Sequence, residues 1–206
     1  MASALLPHDL LWGLTPQQLP ADAPAWALAA MAAGQPVVVR RALTAVGQVA
    51  VGVRGRLREQ RYGTLMAVAA IECRVRPEQL CHVESERAWP ALQALARLRE
   101  PLDGLGLAWG VSGSAGFELA SGVPALYRQS DLDLILRTAR PMERSEARVL
   151  LALLDAAVCP VDMQLQTPNG AVALREWAGT SARVLLKSAS GARLVGDPWQ
   201  ALEQVA

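Results

Sequence analysis

The sequence predicts an α+β protein, a small sheet-containing N-terminal module followed by a mixed, α/β-like layer. Three observations predict it. Short apolar runs bounded by turn-formers occupy the first third of the chain: Pro36–Ala42, Val49–Val53 and Leu65–Glu72. Strand-like and helix-like segments then alternate through the second half. The 206 residues, 52% of them hydrophobic, suffice for one or two modest cores.

The elements read as follows. Pro24–Gly34 is alanine-rich, opens after a proline and closes at a glycine, which predicts a short helix. The three apolar runs predict strands of a small sheet that ends near Pro77–Glu84, and the module boundary is set at 84/85 (1–84 and 85–206). Ser85 is placed to cap a helix through Leu92, Leu95 and Arg99, with Pro101 as its stop. Leu107–Val111 reads as a strand, followed by a glycine turn and a helix to Ala120 that Gly122 and Pro124 break. Leu132–Leu136 is the next strand. Pro141 opens a helix with Val149, Leu150, Leu153 and Leu154 on one apolar face. Val161–Gln166 alternates cleanly, with Val161, Met163 and Leu165 on one face and Asp162, Gln164 and Gln166 on the other. A turn at Asn169-Gly170, a helix around Ala171–Ala178 and a hairpin joined through Ser190-Gly191 complete the chain.

Composition narrows the function classes. A net charge of +1 offers no bulk attraction to nucleic acid or membrane. Basicity is carried almost wholly by arginine, since Lys187 is the single lysine. Cys73, Cys81 and Cys159 are odd in number and form no C-x-x-C, which argues against a disulfide framework or zinc cluster and for a reducing cytoplasm. The N-terminus lacks the basic and apolar regions of a secretory signal, and no apolar run approaches the ~20 residues of a membrane span.

Asp131 and Asp133 carry the first chemical signal. On a strand, residues two apart share a face, roughly 6.6 Å apart along the backbone. Leu132, Leu134 and Leu136 then face the core. Hard cations such as magnesium take oxygen ligands, often a pair of carboxylates plus substrate phosphates. Asp162, on the polar face of a later strand, is the natural third carboxylate and a candidate proton acceptor. A solvated strand face would carry D-x-D equally well.

Gly110, Gly113 and Gly116 fit neither G-x-G-x-x-G nor the Walker A spacing. What remains is strand, Gly113-Ser114, helix. Backbone N–H groups at a helix start bind anions, and Ser114 can add a hydroxyl donor. A plain strand-to-helix turn with Ser114 as N-cap has the same sequence. A further basic segment contains Arg40, Arg41, Arg54, Arg56, Arg58 and Arg61 against one Glu59, suited to phosphates or an acidic protein. Lys187 is a candidate phosphate contact, whereas His8 and His82 read as structural.

Strand, Gly-Ser, helix, D-x-D and a later strand aspartate resemble the nucleotidyltransferase superfamily. The fuller wording, Gly110-Val-Ser-Gly-Ser-Ala-Gly-Phe-Glu-Leu-Ala120 and Ser130-Asp-Leu-Asp-Leu134, resembles the malonate decarboxylase holo-acyl-carrier-protein synthases, also called phosphoribosyl-dephospho-CoA transferases. His8-Asp-Leu-Leu-Trp12, Val38-Val-Arg-Arg41, Gly52-Val-Arg-Gly55 and Gly196-Asp-Pro-Trp199 extend the resemblance over essentially the whole chain. It implies a polymerase-β-like catalytic fold with Asp131, Asp133 and, without a fixed local motif, Asp162 as magnesium ligands and Gly113 and Ser114 at phosphate; by charge and position rather than by the resemblance, Arg40, Arg54 and Lys187 are candidate phosphate contacts. It also implies the substrates: triphosphoribosyl-dephospho-CoA as donor and a serine of the malonate decarboxylase acyl carrier protein as acceptor, with pyrophosphate released. Sixteen residues lie between Ser114 and Asp131, and the Gly122–Gln129 part of that insert is a candidate pocket wall. The alternatives are transfer to another hydroxyl, on a small molecule or tRNA, and a non-catalytic carrier-binding subunit of the same fold. Near-neutral charge weighs against RNA.

Overall fold

The structure, a computed structural model, describes residues 4–57 and 59–200; Arg58 of the basic segment lies outside them. The architecture is α+β, with two sheets over two apolar cores. The first sheet contains β1 (Leu10–Trp12), β2 (Val37–Val39), β3 (Gln48–Arg54), β4 (Arg61–Ala67) and β5 (Cys73–Val75), in the order β4-β3-β2-β1-β5 and antiparallel throughout. Helix α1 (Ala25–Ala32) covers one face. Alternation along β3 explains the packing: Val49, Val51 and Val53 are buried in the core with Ala27, Ala30 and Met31 of α1. Gly52 and Arg54 therefore face the other way, toward the second domain.

The second sheet is mixed. Its strands are β6 (Trp109–Val111), β7 (Leu132–Arg137), β8 (Val161–Thr167), β9 (Gly170–Ala173), β10 (Val184–Ser188) and β11 (Gly191–Val195), in the order β11-β10-β9-β8-β7-β6. Only β7 and β8 run parallel, and the crossover helix α4 (Arg144–Asp155) makes that possible. Leu132, Leu134 and Leu136 on β7 and Val161, Met163 and Leu165 on β8 are buried in one cluster with α4 and α2 (Pro90–Asp103). The Gly196–Trp199 segment packs at the ends of β7 and β8. Trp199 donates from Nε1 to Thr138 O at 2.7 Å, and its ring meets Trp177 edge-on at 5.1 Å.

Several details depart from the sequence reading. Leu65–Glu72, read as one strand, supplies the end of β4 and then a 3-10 turn at Val68–Ala70, and the helix read from Pro141 begins at Arg144. Helix α2 starts at Pro90 rather than under Ser85, because proline suits the first helical position; Ser85 only closes a local turn on Arg87 N. It also runs through Pro101, because burial of Leu98 and Leu102 carries the last turn past the missing hydrogen bond. Residues read as the start of a helix at Ala171 instead form β9, and helix α5 spans Leu174–Ala178. On α4, Ala147, Leu150 and Leu154 are buried while Val149 is 74% exposed. β1 and β5, three residues each, were too short to show periodicity.

The N-terminal sheet docks on the polar face of the second sheet. His8 hydrogen-bonds Gln164, and Arg41 Nη2 donates to Gln166 Oε1 at 2.8 Å. Arg137 Nε bonds Glu78 at 2.7 Å. Burial, then Arg41 and Arg137, push the His8 imidazole from 6.5 down to about 4. Neutral His8 is thus favoured in the fold, so its contribution is complete above pH 6.5 and is lost as pH falls toward about 4.

Two measurements check this account. Leu154→Ala should cost about 2–5 kcal/mol in denaturant unfolding, and Val149→Ala less than about 0.5 kcal/mol. His8 has φ of +76°, a conformation asparagine tolerates, so His8→Asn should fold and its melting temperature should fall less than wild type's between pH 6.5 and 4. Parallel pH profiles for the two proteins would refute the burial argument.

Candidate active site

The parallel register of β7 and β8 sets Asp133 directly opposite Asp162. Asp131 stands just before β7, where Leu132 N donates to Pro160 O at 3.0 Å and locks the strand start to the segment leading into β8. Carboxylate oxygens of Asp131, Asp133 and Asp162 all lie within 4.8 Å of one another. Asp131 and Asp133 are half-buried and Asp162 is exposed. The leucines of β7 are 0–1% exposed behind them, so a rigid apolar base fixes the carboxylates. Three oxygen donors at this separation suit a hard divalent cation, which would also relieve the repulsion among three anions.

The glycine turn meets this cluster edge-on. β6 pairs with β7, and Ser112 N donates to Asp133 O at 2.9 Å. Helix α3 (Gly113–Ser121) starts there with Gly113 at φ of +60°. A Cβ at Gly113 would fall 1.8 Å from Asp133 Oδ2, so only glycine allows the helix start to sit against the carboxylate. Ser112, not Ser114, occupies the N-cap position. The Ser114 hydroxyl instead accepts from Arg54 Nη2 at 2.7 Å.

Arg54 reaches this turn from β3 of the first sheet. Its guanidinium also donates to Ala125 O at 3.3 Å and lies 5.5 Å from the Phe117 ring centre. Burial, then repulsion from Arg61, lower it to about 10, with Asp133, Tyr127 and Glu118 acting the other way; it stays cationic at neutral pH. Glu118, buried in α3, secures the surroundings. Its Oε2 accepts from Ala125 N at 2.7 Å and Leu126 N at 2.8 Å, and Oε1 lies 3.1 Å from Arg87. This is how the insert before Asp131 is held beside Arg54. Glu118 was missed in the sequence, although a lone carboxylate between Phe117 and Leu119 was the available signal.

A cleft of about 420 Å³ opens between the domains beside this turn. Leu10, Val38, Tyr62 and Phe117 give it apolar walls, and Arg40, Arg54 and Arg61 its charge. Arg40 lies across Gly63, where an added Cβ would stand 2.1 Å from Nη1. The structure thus brings Asp131, Asp133, Asp162, Gly113, Ser114 and Arg54 together, with Arg40 farther along the cleft. Lys187 is elsewhere. It pairs with Ala171, which pairs with Gln166, and Gln166 sits beside Arg137. That row lies four residues along the strands from Asp133 and Asp162, roughly 13 Å away. Cys81 is buried against Trp109 O, and burial pushes its thiol up to about 12, which leaves it unreactive.

Comparison with known proteins identifies the family. Residues 79–198 match the family described as the phosphoribosyl-dephospho-CoA transferase MdcG C-terminal domain, and residues 6–77 match the corresponding N-terminal domain. A phosphoribosyl-dephospho-CoA transferase of Pseudomonas fluorescens (strain Pf-5) is 71% identical over 201 residues, covering 98% of this chain and 97% of that protein. One from Pseudomonas fluorescens (strain Pf0-1) is 63% identical over the full length of both chains. A relative of the same name from Azotobacter vinelandii is 57% identical, covering 94% of each. No solved structure matches. Matched across both of its domains, the chain belongs to the phosphoribosyl-dephospho-CoA transferase family.

Proposed function

We propose that this chain is a metal-dependent transferase of the nucleotidyltransferase type. It moves the phosphoribosyl-dephospho-CoA group from 2′-(5″-triphosphoribosyl)-3′-dephospho-CoA to a serine of the malonate decarboxylase acyl carrier protein. The observation that carries the reading is the convergence of three carboxylates within 4.8 Å, against a Gly113-Ser114 turn that Arg54 also reaches. The names of the relatives supply the transferred group. Free thiols at Cys73, Cys81 and Cys159 fit a reducing, cytoplasmic setting.

Asp131, Asp133 and Asp162 would hold a divalent cation, magnesium by ligand type. When bound, it supplies charge neutralisation at the phosphates and lowers the pKa of a coordinated hydroxyl. The chain's own groups do the rest. Asp162, the most exposed of the three, is placed to take the proton from the carrier serine hydroxyl. The serine oxygen then bonds to the α-phosphorus. The bond from that phosphorus to the bridging oxygen breaks, and pyrophosphate leaves. Backbone N–H groups at the start of α3 and the Ser114 hydroxyl hold phosphate oxygens. Arg54 stabilises the charge that develops on the leaving group from a half-buried position, where it counts for more than in water.

Mass spectrometry of apo carrier protein incubated with this chain, magnesium and the triphosphoribosyl donor should show the added phosphoribosyl-dephospho-CoA mass. An unmodified carrier under those conditions would overturn the reading. Asp131→Asn and Asp133→Asn should each abolish labelling while the circular dichroism spectrum and melting curve stay near wild type. Chelation should do the same to the unaltered protein, reversibly. Arg54→Ala should reduce kcat/KM about 100-fold, with partial recovery in Arg54→Lys, which keeps charge but not the two-pronged geometry. Equal rates for the arginine and alanine forms would remove Arg54 from the site.

A further inference from the structure

A second groove, about 610 Å³, lies at the opposite end of the same sheet face from the aspartates. Its cations are Arg40, Arg41 and Arg137, and no aspartate or glutamate is among the described residues that line it. Two buried donors at this groove lack acceptors, Gln166 Nε2 and Arg137 Nη2. Arg41 gives one hydrogen bond to Gln166 Oε1, a neutral acceptor, which orients the Gln166 amide and leaves Nε2 buried with no acceptor. Arg137 uses Nε for Glu78, and its Nη2 is likewise buried without an acceptor. Gln166 is only 7% exposed. Burial and the nearby Arg137 charge both lower the Arg41 guanidinium. Arg41 and Arg137 are both half-buried and close enough to repel, and the one carboxylate paired with them, Glu78, is bound to Arg137, which leaves net positive charge in a partly desolvated site. Such a site is stabilised by an anion with several oxygens.

The groove is joined to the catalytic cleft. Arg40 lines both, and His8, Arg40 and Gln164 share a neighbouring hollow. From the Asp133–Asp162 row to the Arg137–Gln166 row is four residues along parallel strands, roughly 13 Å. Apolar Leu10, Val38 and Phe117 line the cleft that leads away from Gly113. We infer that this groove is a second phosphate-binding site, and that its occupant is the internal diphosphate of the donor's dephospho-CoA part. This assignment rests on the donor proposed above. In that molecule the triphosphate and the diphosphate sit at opposite ends of two linked riboses, so two cationic stations separated by a less polar cleft match its charge pattern. Lys187, in the same lateral row as Arg137 and Gln166, stands at the exposed rim of this end. Its place far from the aspartates is thereby explained.

Free pyrophosphate, the released product, offers the same chemistry, and the test separates the two sources. Titration calorimetry on the full chain without divalent cation would use dephospho-CoA, inorganic pyrophosphate and adenosine as probes. Dephospho-CoA should bind wild type saturably and about tenfold more weakly to Arg41→Gln, the loss of one charge-assisted contact. Lys187→Gln, at an exposed position, should weaken it in the same direction with no change in melting temperature. Adenosine affinity should be the same in all three proteins. No saturable binding of dephospho-CoA to wild type, or equal affinity in wild type and both variants, would overturn the assignment. So would pyrophosphate binding that is sensitive to Arg41 while dephospho-CoA binding is not, since that makes the product the occupant. Asp133→Asn serves as the control for the catalytic reading: it should lose transfer yet bind dephospho-CoA like wild type. Arg41-sensitive binding without any carrier labelling by wild type would sink the proposed reaction and leave this site standing.

Discussion

The parallel pairing of β7 with β8 is the constraint on which the rest of the site depends. A strand buried on one face by leucines has its register fixed, since a slip of one residue would turn Leu132, Leu134 and Leu136 to the polar side. The same register that buries them sets Asp133 opposite Asp162. The energy that holds three carboxylates close together, against their mutual repulsion, thus comes from apolar burial on the reverse face of the same strands. The crossover helix α4 serves this pairing directly, because parallel neighbours need a long connection and its Leu150 and Leu154 seal the core behind the aspartates.

The candidate site is completed by the N-terminal domain. Alternation along β3 sends the valines into one core and Arg54 out of it, and Arg54 then crosses to Ser114. Glu118 and the Ala125 backbone hold the receiving side. Neither domain alone contains the full set of groups proposed to face phosphate, since Arg54 comes from the first sheet and Gly113, Ser114 and the aspartates from the second domain. The polar face of the second sheet also changes sign along its length, from Asp131, Asp133 and Asp162 at one end to Arg137, Gln166 and Lys187 at the other. The covering domain adds Arg40 and Arg41 at that cationic end. A long donor with separated phosphates suits such a face better than a compact nucleotide would.

Legibility in the sequence varied with the range of the interaction responsible. Alternation from Val161 to Gln166 identified β8 and the polar face of Asp162, because a half-buried strand repeats every two residues. The Gly113-Ser114 turn and the D-x-D pair were readable for the same local reason. Ser85 misled because Pro90 is the better local start, and Pro101 misled because packing of Leu98 and Leu102 carries the last turn past it. Val149 was assigned to the core from periodicity alone, yet α4 turns its Ala147–Leu150–Leu154 stripe inward and leaves Val149 outside. The basic segment was visible as charge, but its division was not: Arg54 goes to the Gly113-Ser114 turn, while Arg40 and Arg41 reach the far groove.

By itself the sequence determined the α+β class, the carboxylates on one strand face, the glycine turn and, through its wording, the family. These follow from residue type and short-range spacing, which act within a few residues of one another. Only the tertiary structure decided that Asp133 faces Asp162, that Gly113 abuts a carboxylate, that Arg54 crosses the domain boundary and that Lys187 stands at the other end of the sheet. Those are outcomes of strand order, register and domain docking. They are set by which apolar faces bury one another across tens of residues, and no local spacing encodes that choice.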